Sequence, residues 1–140
     1  MAPRKIDLKR SLKKTNNQLA LLNRELAEQM ILLASQTGQS EPLIQAVKAL
    51  RSVQELYSVD DSPRESAEVQ KALGDTLLKI GQVSGDTLAL EHAIQAYRGA
   101  ITLVSLIGDE KMRRVLKKNY GHARSLLGKD EKAHSLFKVA

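Results

Sequence analysis

The chain has 140 residues, 42% of them apolar, with one phenylalanine, three tyrosines, no tryptophan and no cysteine. That describes one domain whose core is built from Leu, Ile, Val and Ala, a mixture that favours helices; it excludes disulfides, thiolate nucleophiles and Cys-based zinc sites. The net charge of +6 is uneven, with seven Lys/Arg against Asp7 in residues 1–24, six against eleven acids in 25–105 and nine against four in 106–140, so that ends of +6 and +5 flank a middle of −5 and could hold against it or against another copy.

The N-terminal "MAPRKIDLKRSLKK" is charged and has no apolar stretch behind it, so it does not read as a signal peptide. No run approaches the ~18 apolar residues of a membrane span. A soluble, cytoplasmic protein is expected, with residues 1–14 as a basic tail or helix extension ahead of a single helical domain at 15–140. In the first helix Leu12, Leu19, Leu26 and Leu33 recur every seven residues. If these are d positions, Asn16 and Asn23 take a, the arrangement by which parallel dimeric coiled coils fix register. Leu12, Asn16, Leu19 and Asn23 are therefore the expected oligomer seam.

Further along, helical periodicity dominates and no segment alternates as a strand would. Breaks fall at "SQTGQSEP", "SVDDSP", "GQVSGDT", "LIGDE" and "LGKDE", which divide the chain into six helices. In "SPRE", Ser62 is placed as an N-cap, Pro63 in the first turn and Glu65 as the second half of a capping box. Gly81, Gly108 and Gly128 are placed as C-terminal stops.

Self-similarity organises these helices. "LLASQTGQSEPLIQAVKALR" lies over "LKIGQVSGDTLALEHAIQAYR" with a shift of 47 residues, which pairs Gly38 with Gly85, Ala46 with Ala93 and Leu50 with Tyr97. The same shift carries Gly74 forward to Gly121 and back to Ala27. Three copies of a helical hairpin follow, about the number such units need to bury their apolar faces. The third copy, "NYGHARSLLGKDEKAHSLFKVA", resembles the tetratricopeptide repeat family, with Tyr120, Gly121, Ala133, Phe137 and Ala140 at that family's characteristic places. The interval from Gly121 to Ala133 is 12 residues. In the first two copies the corresponding interval is 19, from Ala27 to Ala46 and from Gly74 to Ala93, and the seven extra residues are placed in a lengthened turn.

The resemblance implies stacked antiparallel hairpins, about six helices in a short right-handed superhelix. Ala27, Gly74 and Gly121 would sit where the helices of a hairpin cross, opposite Ala46, Ala93 and Ala133, with Tyr97 and Phe137 packing between. It also implies a protein-interaction module, an adaptor or scaffold, that holds a partner segment on the concave face of the first helices. The groove positions so implied are Arg24, Glu28 and Ile31; Lys71, Asp75 and Leu78; and Lys118, His122 and Ser125. Arg24, Lys71 and Lys118 would steer an acidic or amphipathic partner, with apolar positions supplying affinity. The carboxylate clamp of chaperone-tail binders is not matched, since its places hold Arg24, Glu28, Ala72, Val115 and Asn119.

The alternative is homo-oligomerisation or polyanion binding through the basic first and last helices. The heptad leucines resemble a basic leucine zipper only superficially, because Lys9 would occupy an a position and the base-contacting Asn and Arg pattern is missing. "DEKMRRVLKKNYGHAR" offers Arg113, Arg114, Lys117, Lys118 and Arg124, cations of the kind that track phosphates. Only Tyr120 is near to stack on a base, so nucleic acid is not the expected partner. No catalytic residue, cofactor or metal site is expected: His92, His122 and His134 form no H-E-x-x-H pattern, and no phosphate-binding glycine loop exists.

Overall fold

The computed structural model describes residues 5–57 and 62–139, without the side chains of Ile6 and of 130–139. Five α-helices follow in order: α1 (Lys5–Thr37), α2 (Glu41–Leu56), α3 (Pro63–Ser84), α4 (Thr87–Ile107) and α5 (Glu110–Val139). Each packs chiefly on the next, α1 on α2 and α3 on α4 most extensively, and α3 also touches α5. The protein is all-α. No helix among the described residues is long and apolar enough to cross a membrane.

Small residues determine how closely these helices approach. In α1 the core face carries Ala20, Ala27 and Ala34, all buried. Seven residues are nearly two turns, so the three share one side of the helix. Against it α2 sets Leu43, Ala46, Val47, Leu50 and Val53, and the main core continues through Leu73, Leu77 and Ile80 of α3, Leu90, Ala93, Tyr97, Leu103 and Val104 of α4, and Leu116 and Ala123 of α5. A smaller cluster of Ala20, Val53 and Val69 closes the other end of the first three helices.

The helix stops are built from backbone chemistry. Gly85 ends α3 with φ +66°, a left-handed conformation that costs an L residue, and its N–H donates to the Gly81 carbonyl at 3.0 Å. Asp86 then caps α4, its carboxylate accepting from the N–H groups of Leu88 at 3.0 Å and Ala89 at 3.3 Å. The next corner repeats the device: Gly108 is left-handed and Asp109 accepts from the Met112 N–H at 3.0 Å.

Several expectations are corrected. There are five helices among the described residues, not six, because α5 runs through Gly128 to Val139. Gly128 has no positive φ, and one glycine costs a helix only ~1 kcal/mol, too little by itself to end it. A second hairpin helix does not therefore fold back in the third copy, and the side chains of Ala133 and Phe137 lie outside the described residues. Gly81 is likewise interior to α3; a Cβ there would lie 2.6 Å from Leu90 Cγ, so its smallness serves packing and the stop falls at Gly85. The lengthened turns are not turns. The connections are only residues 38–40 and 85–86, and the seven extra residues extend the helices by about two turns. Ser62 occupies the N-cap of α3, but its hydroxyl makes no capping hydrogen bond.

The crossing at Gly74 also differs in detail. A Cβ on Gly74 would lie 2.7 Å from Cε1 and 2.8 Å from Cδ1 of Tyr97, so the group opposite is the tyrosine ring, although Ala93 is fully buried nearby. Gly121 faces nothing within 4 Å. With no helix folded back on it, the third copy has no crossing there.

Candidate interaction groove

Three long-range hydrogen bonds connect α1, α3 and α5 along one side of the stack. The Arg24 guanidinium donates to Glu68 at 3.5 Å, joining α1 to α3; Asn119 donates to Asp75 at 3.1 Å and Gln82 meets His122 at 3.0 Å, joining α3 to α5. On the other side Arg51 of α2 meets His92 of α4 at 3.3 Å. The surface shared by α1, α3 and α5 is thus continuous, with α3 in its middle.

Asp75 is the hub of that surface. Its Oδ2 accepts from Lys71 Nζ at 2.9 Å, one helical turn away, and its Oδ1 accepts from Tyr97 Oη at 2.6 Å and from Asn119 Nδ2 at 3.1 Å. Three donors from three helices satisfy one half-exposed carboxylate. The Tyr97 ring is fully buried while its hydroxyl reaches this polar edge. Burial first, and then donation to the Asp75 carboxylate with the repulsion a phenolate there would feel, push the Tyr97 hydroxyl well above its ordinary range. At the α4–α5 corner the Met112 N–H, followed by the Arg64 guanidinium at 3.0 Å, holds the Asp109 carboxyl below the usual range.

The expected groove residues divide. Arg24, Lys71, Asp75 and His122 stand on the α1/α3/α5 surface, each engaged by a neighbour within the chain. Ile31 is half-buried and lines a cleft of about 240 Å³ with Ala34, Lys79, Gln82 and Val83, between the C-terminal turns of α1 and α3. Glu28, Lys118 and Ser125 are exposed. Leu78 is corrected: at 9% exposure it belongs to the core rather than to the groove.

Asn119, Glu68 and Gln82 were not among the expected groove residues. The Lys71–Asp75 pair has a local signal, four residues on one helix. The others do not, since they meet partners 40 to 44 residues away. Lys79 and Val83 have a weak signal, an exposed cation and an exposed apolar residue four apart on one face.

The expected oligomer seam is also rearranged. Leu12 and Leu19 are exposed at 62% and 46%. Asn16 and Asn23 are half-buried and turn toward α2: Asn16 lines a cleft with Leu56 and Tyr57, and Asn23 another with Lys48, Ala49 and Ser52. Leu12 lines the first of these clefts and Leu26 the second, so the asparagines lie between the exposed leucines and the buried alanines of α1.

On α5, Arg113 is paired with Glu110 at 3.4 Å and Arg124 lies 5.7 Å from the centre of the Tyr120 ring. Among the described residues no three His, Asp or Glu side chains gather as a metal site would require.

No protein-family model matches the chain, and no solved structure matches it. Among curated proteins it is similar to a LexA repressor of Shewanella woodyi (strain ATCC 51908 / MS32), 32% identical over 106 residues. The matched region covers 72% of this chain and 50% of the repressor, so the chain spans about half the length of that relative.

Proposed function

We propose that the chain is a short tetratricopeptide-like interaction module that binds a segment of a partner protein along the face shared by α1, α3 and α5. The observation that carries this reading is the set of bonds from one first helix to the next, Arg24–Glu68, Asp75–Asn119 and Gln82–His122, spanning 44, 44 and 40 residues. Such spacings are near the 47-residue period of the sequence, as side-by-side first helices of stacked hairpins require.

The partner's chemistry follows from what the face leaves free. Arg24 and Lys71 already have carboxylates, so they offer little net charge. Lys79 and Lys118 are exposed, and Ile31 and Val83 present apolar surface beside Lys79 in the α1/α3 cleft. An amphipathic segment suits that pattern, its apolar residues entering the α1/α3 cleft and its acidic ones meeting Lys79 and Lys118.

A second reading, polyanion binding, rests on the exposed Lys5, Lys9, Arg10, Lys13 and Lys14 of α1 and on the similarity to a protein named a repressor. The two separate cleanly. Partner capture with the intact chain, a Lys79→Glu/Lys118→Glu variant and a chain lacking residues 1–14 should lose the partner only in the groove variant, each bait first checked for helicity by circular dichroism. Capture that survives the groove change but disappears with the first 14 residues, and that falls steeply with salt, would replace the first reading by the second.

A further inference from the structure

On the side of the stack away from the α1/α3/α5 face, α2 and α4 each pack on α3, and a cleft of about 320 Å³ remains between them. Leu73 and Leu77 of α3, both buried, form its apolar base. Around them stand Arg51 and Gln54 of α2, His92 and Gln95 of α4, and Gln70, one turn before Leu73 on α3. The steps of three and four residues mean that one face of each helix contributes. Among the described residues no Asp or Glu lines the cleft, although residues 25–105 carry eleven acids.

The polar groups here are set as donors. Arg51 Nη2 lies 3.3 Å from His92 Nδ1. A guanidinium has no acceptor, so Nδ1 accepts and the ring proton stands on Nε2, which no other described residue engages. Arg51 pairs with no carboxylate among the described residues. Gln70 is oriented from behind by Gly99: its Oε1 is buried without a hydrogen bond, in the space a Cβ at Gly99 would fill. A carbonyl oxygen there can take a weak Cα–H contact, whereas an amide nitrogen in that place would bury two N–H groups without acceptors. The carboxamide nitrogen is the end that remains reachable.

We propose that this cleft binds a small organic oxyanion, a carboxylate or a phosphate monoester. Arg51, His92 and Gln70 hold its charged head, and its carbon skeleton lies over Leu73 and Leu77. A guanidinium fork gives charge-assisted hydrogen bonds to either head. Donors without a carboxylate among them disfavour a cationic ligand, and the apolar base favours a head with a body over a bare ion. The volume of about 320 Å³ falls within the range of pockets that take small ligands. No polar residue of this cleft belongs to the α1/α3/α5 face, so the inference stands apart from the proposed function.

The test titrates phenyl phosphate and benzoate into the isotopically labelled full chain, followed by NMR. Inorganic phosphate, the head alone, and benzyl alcohol, the body alone, are the controls. At least one probe should give saturable shifts at the Gln70 side-chain amide and the Gly99 N–H in the millimolar range or below, and the tighter of the two names the head group. Arg51→Gln and Gln70→Met should each weaken that binding by about 10-fold or more, as loss of a hydrogen bond to a charged group does. Arg51 is exposed, so helicity by circular dichroism should be unchanged in its variant. No saturable binding of either probe, a control that binds as tightly as the probes, or binding indifferent to either substitution would each overturn the proposal.

Discussion

Gly74 and Gly121 stand 47 residues apart and look equivalent in the sequence, yet their surroundings differ. At Gly74 an added methyl group meets the Tyr97 ring at 2.7 Å, and that ring is tethered through its hydroxyl to Asp75. It cannot swing away without losing the 2.6 Å bond. Gly74→Ala should therefore lower stability by about 1–3 kcal/mol, overpacking outweighing the helix propensity gained. Gly121→Ala meets nothing within 4 Å and should raise stability by up to ~1 kcal/mol; urea melts of the pair test the contrast.

Tyr97 makes a second prediction, in pH. Tyr97→Phe keeps the packing and removes a hydrogen bond to a carboxylate, and should cost about 1.5 kcal/mol at neutral pH. The tyrosine's pKa is raised in the folded state, so its contribution is whole below the unfolded value of about 10 and is lost as pH rises through the raised value. Above about pH 10 the wild type should lose ~1.4 kcal/mol per pH unit relative to Tyr97→Phe. Parallel urea melts at pH 8, 10 and 11 would measure it; a constant difference across that series would contradict the assignment.

At the scale of the helices, much was legible where a stop has its own chemistry. Pro63 marks the start of α3, and "SGDT" and "IGDE" each combine a left-handed glycine with a capping aspartate, ending α3 and α4 and starting the next helix. Asp86→Ala removes two N–H acceptances and should cost about 1 kcal/mol, whereas Ser62→Ala, at a cap without a side-chain bond, should change the urea midpoint little. What misled was glycine without that chemistry. "LGKDE" looks like "IGDE", but Gly128 remains helical and α5 continues. Gly81 looks like an end and is a packing contact with Leu90. A seven-residue insertion is equally ambiguous in one dimension, since it adds either a loop or two helical turns that preserve the face, and α1 and α3 take the second course.

At the scale of the whole molecule, the pairing of α1 with α2 and of α3 with α4 followed from the repeat. The groove's electrostatics did not. Arg24 and Lys71 look like free cations in the sequence and are paired with Glu68 and Asp75 in the fold, the first across 44 residues. The heptad leucines were visible in the sequence, but the clefts that Leu12 and Asn16, and Leu26 and Asn23, share with α2 were not, because only α2's position creates them. Residues 7–14 are exposed, so a chain lacking residues 1–14 should melt within about 0.5 kcal/mol of the intact one.

The central claim is that one face, contributed by α1, α3 and α5, holds the partner. It is tested most directly by placing a photo-crosslinking amino acid singly at Glu28, Lys79 and Lys118, and as a control at Leu106, which is 77% exposed on α4. The same partner should be captured from all three groove positions, contributed by three helices, and not from Leu106. Capture from Leu106 or from the basic turns of α1 instead, or from no position on the three helices, would contradict it.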